Sequence, residues 1–215
     1  MPHADSLALP DDLTDKRAFY AHVCTVADAL LAPSSDSDSA ANWVTVLSNA
    51  ASLLFGSYEN YEAAFGRADG RRVNWAGFYV VPSLLSRHAS TAEEPTQLLL
   101  GPFHGRPACN SVSLRAPSAS RPVGVCAAGF LSGETVVVPD VEARPGHIAC
   151  DGVTKSEVVV PIVVTRRRDD GTEEDVKVGV LDVDCEGLNA FDEEVDKEGL
   201  EQFVEVVKRV VRWEL

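Results

Sequence analysis

Between residues 15 and 31 the apolar positions Phe19, Val23, Val26 and Leu30 recur at steps of four, three and four, which gathers them on one stripe of an opening helix. The run 33–41, PSSDSDSAA, holds turn formers and no core-forming residue, and reads as a loop entering a second helix from Trp43 to about Phe55. Near the other end Leu200, Phe203, Val204, Val207, Val210 and Val211 form a further helical stripe, with Glu201, Glu205, Lys208 and Arg212 opposite. Between these helices lie six β-prone runs, at 73–81, 96–100, 111–114, 135–138, 157–165 and 176–184. The small, alanine-rich GVCAAGFLSG at 124–133 predicts a short helix, and RRRDDGTEED at 166–175 an exposed hairpin connection. No long helices separate the strands at regular intervals. The expected class is therefore α+β, a six-stranded, mostly antiparallel sheet with N- and C-terminal helices packed on it.

Strand parity picks out two departures from this plan. In VKVGVLDVD the two-residue period puts Val176, Val178, Val180, Asp182 and Asp184 on one face, so two carboxylates continue an apolar surface. Alternate residues lie about 6.5 to 7 Å apart, close enough for both acids to converge on one small cationic or proton-accepting group. The alternative is that the face reaches solvent at the strand's end. In NWAGFYV, Trp75, Gly77 and Tyr79 share a face, two large rings flanking a residue without a side chain. This predicts a slot suited to a methyl or thioether group, unless both rings simply fill a core, the commoner use of such residues. Trp43 and Trp213 are assigned to packing.

The length of 215 residues fits one domain, 1–215, with 1–14 a flexible N-terminal extension. Nineteen Lys and Arg against 33 Asp and Glu give a formal charge of −14, which repels phosphate backbones and anionic lipid, so neither nucleic acid nor membrane is an expected partner. No apolar run approaches the roughly 20 residues needed to span a bilayer, and the acidic N-terminus lacks a targeting pattern, so a cytoplasmic location is expected. Five cysteines, at 24, 109, 126, 150 and 185, are an odd set for a static disulfide framework. His104 and His147 lie near Cys109 and Cys150, but no CxxC or other usual zinc spacing is present, which favours redox use. Cys150 sits in a Gly- and Asp-containing connection seven residues before Glu157. Cys24 and Cys185 read as packing residues.

Taken together, NWAGFY, LLLGPFHGRPAC, GVC, PDVEARPGHIACDGVTKSEVVVPI and GVLDVD resemble the free methionine-(R)-sulfoxide reductases, a family built on the GAF-type fold. The resemblance runs from Val73 to Phe191. It implies that Cys150 attacks the sulfoxide, while Cys126 and Cys109 resolve or relay the disulfide. It further implies that Glu157, Asp182 and Asp184 contact the substrate, with Trp75 and Tyr79 around its methyl end. The implied reaction takes free methionine-(R)-sulfoxide to methionine through a sulfenic acid and an intramolecular disulfide, recycled by a thioredoxin-like reductant, without metal or organic cofactor. Two stretches depart from the family pattern: NSVSLRAPSASRPVGV, between Cys109 and Cys126, is about seven residues longer than usual, and GVCAAGF stands where the family favours Gly-Thr-Ala after the cysteine. The competing classes are a noncatalytic GAF sensor of a small metabolite and a thiol-based redox switch or zinc-binding protein.

Overall fold

The structure, a computed structural model, describes residues 7–11, 13, 15–32, 41–85, 94–115, 123–144, 152–168 and 170–214. Helix α1, Lys16–Leu31, starts where the Asp15 carboxylate accepts the Ala18 N–H at 2.8 Å, and it buries Phe19, Tyr20, Val23, Ala27 and Leu31. Val26 and Leu30, expected on that stripe, lie at its half-buried margin. Asn42 caps α2, Trp43–Asn60, in the same way through the Thr45 N–H. This helix runs five residues beyond its expected end, because Gly56 interrupts neither the helix nor its buried stripe, which continues through Ser57 and Tyr58. A four-residue helix, α3 at Glu62–Phe65, follows. Helix α4, Val125–Ser132, and helix α5, Val195–Val210, complete the set.

The six strands are β1 Val73–Val80, β2 Gln97–Gly105, β3 Ser111–Ser113, β4 Val136–Val138, β5 Ser156–Arg167 and β6 Glu173–Cys185. They form one sheet in the order β3-β2-β1-β6-β5-β4, with every neighbouring pair antiparallel. The hairpin connection expected over 166–175 is shorter, 168–172, because β5 and β6 stay paired as far as Arg167 and Glu173, and Gly171 takes φ +85 in its turn. Helices α2 and α5 lie on one face and α1 packs across both. On that side Ala76, Phe78, Val80, Val158, Val160, Ile162, Leu181 and Val183 meet the helices in the main core. A second, smaller core fills the other face, where Trp75, Tyr79, Leu98, Val159 and Val180 meet Val125, Cys126, Ala127 and Phe130 of α4. Strand β1, covered on both sides, is buried at all eight positions. Among the described residues, no helix is long and apolar enough to cross a membrane.

The face expected along β6 is broken by a bulge. Val176, Val178, Val180, Asp182 and Asp184 do not share a face: Ile162 pairs with Gly179 and Val163 with Lys177, so β6 carries an extra residue, a β-bulge, at Val178. Val176 and Val178 consequently pack toward the helices, and parity resumes with Val180, Asp182 and Asp184 on the opposite side.

Candidate active site

Antiparallel pairing lays the predicted residues across the second face in rows. Glu157 of β5 pairs with Asp184 of β6, which pairs with Trp75 of β1. One step along, Val159, Asp182, Gly77 and Phe103 form the next row, followed by Pro161, Val180, Tyr79 and Leu100. Acids therefore occupy one half of the floor and rings the other, although they come from strands far apart in sequence. Helix α4 roofs the acidic half. Its close approach depends on Gly129, where a Cβ would stand 2.8 Å from Val159 Cγ1. That approach sets Cys126 Sγ 3.2 Å from Asp182 Oδ2 and 3.8 Å from Glu157 Oε1.

The aromatic half differs from the expected open slot. Trp75 stacks on Tyr79 with centroids 5.8 Å apart and on Phe103 at 5.5 Å, so the indole is held between two rings. A Cβ on Gly77 would lie 2.3 Å from Phe103 Cβ and 2.7 Å from Trp75 Cη2, so these two side chains already fill the space that the missing side chain leaves. Phe103 was missed in the sequence because β2 passes through Gly101-Pro102, with a bulge there that resets its parity. Gly77→Ala is expected to destabilise the chain by about 2 kcal/mol, through overpacking against a strand that cannot retreat. Thermal unfolding checks this, and an unchanged midpoint would show that the stack yields easily.

Burial dominates the electrostatics. Glu157 and Asp182 are each 5% exposed. Burial, then the neighbouring Asp182, pushes the Glu157 carboxyl well above the usual carboxylate range, with Arg144 pulling it back only in part. Burial likewise raises Asp182 from its ordinary 3.8 to about 7, against hydrogen bonds from Cys126 and Glu157 that lower it. Glu157 is thus the acid that donates and Asp182 the one that accepts, and the pair holds a proton near neutral pH. Cys126 is raised well above an ordinary thiol by burial first and then by both carboxylates, so it stays an S–H that donates to Asp182. Asp182 Oδ1 and Trp75 Nε1 are buried and lack a hydrogen-bond partner among the described residues. One acceptor and one donor are therefore available to a ligand, and each costs on the order of 1–3 kcal/mol if left unpaired.

Of the eight sequence candidates, Cys126, Glu157, Asp182, Trp75 and Tyr79 gather in the packed, side-chain-filled chamber between α4 and the sheet, and half-buried Asp184 lies in its floor between Glu157 and Trp75. Half-buried Cys109 follows β2, and its carbonyl accepts the Tyr79 hydroxyl at 3.0 Å. Cys150 lies outside the described residues, as does His147, and so do residues 116–122 of the lengthened run after Cys109. His104 faces away from the chamber, its ring 6.1 Å from Phe55 of α2, which removes it from a zinc set with Cys109. Cys24 and Cys185 sit against the main core, where burial raises both thiols to about 11, and they are packing residues as expected.

No protein-family model matches the chain. A free methionine-R-sulfoxide reductase of Saccharomyces cerevisiae is 40% identical over 173 residues, covering 80% of this chain and 78% of that one. Among solved structures, a GAF domain superposes with a TM-score of 0.70 at 35% identity, covering 99% of this chain and 98% of the other. The free methionine-R-sulfoxide reductase of Neisseria meningitidis, in complex with its substrate, gives a TM-score of 0.63 at 32% identity, covering 94% and 93%.

Proposed function

The chain belongs to the free methionine-(R)-sulfoxide reductase family and is an oxidoreductase of that family, and we propose that it reduces free methionine-(R)-sulfoxide in the chamber between α4 and the sheet. The observation that carries this reading is the pairing of a proton-holding Glu157–Asp182 couple with the Trp75–Tyr79–Phe103 stack on one buried floor. An amino acid sulfoxide presents an ammonium, a polar S=O and a methyl group. Asp182 and Asp184 suit the first, the Glu157 proton the second and the aromatic edge the third.

In this reading the Cys150 thiolate attacks the sulfoxide sulfur while Glu157 protonates its oxygen. Collapse transfers that oxygen to Cys150, releasing methionine and leaving a sulfenic acid. A second thiol then displaces water from the sulfenic sulfur, forming a disulfide, which a thioredoxin-like dithiol reduces by exchange. Cys109 is the better resolving thiol, because it is half-exposed and reachable by a reductant, whereas Cys126 is buried against two acids. The reductant matches a reducing compartment, the cytoplasm.

The test uses separated epimers of free methionine sulfoxide and a peptide carrying the same group, with thioredoxin, its reductase and NADPH. Consumption of NADPH with the free R epimer alone is expected. Equal reduction of the peptide would overturn the substrate, since a chamber that pairs the free ammonium cannot take an acylated nitrogen equally well.

A further inference from the structure

The acidic half of the chamber has the ligand geometry of a metal centre. Cys126 Sγ, Asp182 Oδ2 and Glu157 Oε1 come from α4, β6 and β5, with separations of 3.2 Å and 3.8 Å from the sulfur to the two oxygens. One ligand atom from each of the three residues falls within 4.8 Å of the others. A tetrahedral zinc with Zn–S about 2.3 Å and Zn–O about 2.0 Å holds sulfur and oxygen roughly 3.5 Å apart, a value that the two separations bracket. The three side chains are 8%, 5% and 5% exposed, so each is held in place by packing before a metal arrives. The second Asp182 oxygen, Oδ1, is also buried and has no hydrogen-bond partner among the described residues, so this carboxylate has acceptor capacity left for a ligand.

The geometry points to an inhibitory Zn2+ site formed by Cys126, Glu157 and Asp182, with a fourth position left to water. A thiolate beside two carboxylates selects zinc over magnesium or calcium, which take oxygen alone. Binding exchanges protons for metal. In the metal-free cluster Cys126 is S–H and the carboxyl pair shares one proton, a net charge of −1. With zinc bound, three anions hold two positive charges, again −1, and two protons have left. Affinity is therefore expected to rise with pH. Metal binding itself is independent of the proposed reaction. Inhibition rests on that reading, because the ion occupies the carboxylates assigned to substrate and proton delivery.

The test begins with fully reduced protein titrated with Co2+ alone and with Zn2+ alone, in the absence of substrate. One equivalent of cobalt is expected to give a thiolate-to-metal charge-transfer band with the strong visible absorption of a tetrahedral ion. Zinc is expected to displace the cobalt without further proton release, whereas zinc added to metal-free protein is expected to release protons, read by calorimetry in buffers of different ionisation enthalpy. Cys126→Ser should remove the band and weaken zinc at least about a hundredfold. Asp182→Asn keeps the thiol and should retain a band while weakening zinc at least about tenfold, which covers the case in which the serine variant fails to fold. A band that survives in folded Cys126→Ser, or no metal uptake by the parent, overturns the site. Turnover is assayed separately. Metal binding in a protein without reductase activity would sink the reaction and leave the site standing, whereas zinc-insensitive turnover without cobalt uptake would do the reverse.

Discussion

Replacing Cys150 with serine is expected to abolish methionine formation in a single turnover, lowering its rate at least about a thousandfold, because an alcohol at neutral pH cannot supply the thiolate that attacks sulfur. The nearest rival for the role is Cys126. Its thiol is buried, donates to Asp182 and faces a second acid in Glu157, so each environmental influence opposes ionisation. Rapid-quench measurement of methionine released per chain, without external reductant, separates the two. Parent protein should give one equivalent. Cys109→Ser should also give one and then stop, since the sulfenic acid forms but its resolution fails. A full equivalent from Cys150→Ser would move the nucleophile to Cys126 and overturn the assignment.

Asp182→Asn is expected to stabilise the protein at pH 8 while damaging its chemistry. The Asp182 carboxyl rises from an ordinary 3.8 to about 7 in the folded chain. Between those values the unfolded chain has already lost the proton that the folded chain keeps. The stability that this group supplies is thus fully present below about pH 4 and is lost as pH rises through about 7. Above that point a buried charge remains, a penalty of up to about 4 kcal/mol, shared in practice with Glu157. Asparagine keeps the shape and an acceptor for the Cys126 thiol without the charge. Its unfolding midpoint should exceed that of the parent at pH 8 and match it near pH 4, while kcat/KM falls about a hundredfold or more. A variant less stable than the parent at pH 8 would show that the carboxylate is satisfied by partners and not strained by burial.

How far the sequence reveals this site depends on what interrupts its periodicities. Trp75, Gly77 and Tyr79 are read correctly as one face because no irregularity falls among them on β1, and Asp182 and Asp184 for the same reason on β6. Val176 and Val178 are misread because a bulge intervenes, and its only local sign is the glycine beside it: a Cβ on Gly179 would stand 2.3 Å from the Tyr79 carbonyl oxygen. Gly101-Pro102 has the composition of a strand end, yet β2 crosses it, which hides Phe103 and turns His104 toward α2. The contact between Cys126 and Asp182 spans 56 residues, and no periodicity within either segment encodes it. There the family resemblance supplied what local pattern lacks, whereas the stacking of the rings onto each other followed from neither.

The bulge at Val178 also governs which kinds of genetic change the chamber tolerates. One strand serves two cores of opposite character, with valines turned to the helices and acids turned to the chamber, and the switch between them is a single uncounted residue. Side-chain replacement at Val178 leaves that count intact. Loss of one codon there would regularise the ladder, and the strand would then have to turn either its valines out of the main core or both aspartates into it. Reading-frame-preserving insertions and deletions in this short stretch are therefore far more dangerous to the site than substitutions, even though no residue of the bulge touches the chamber chemistry.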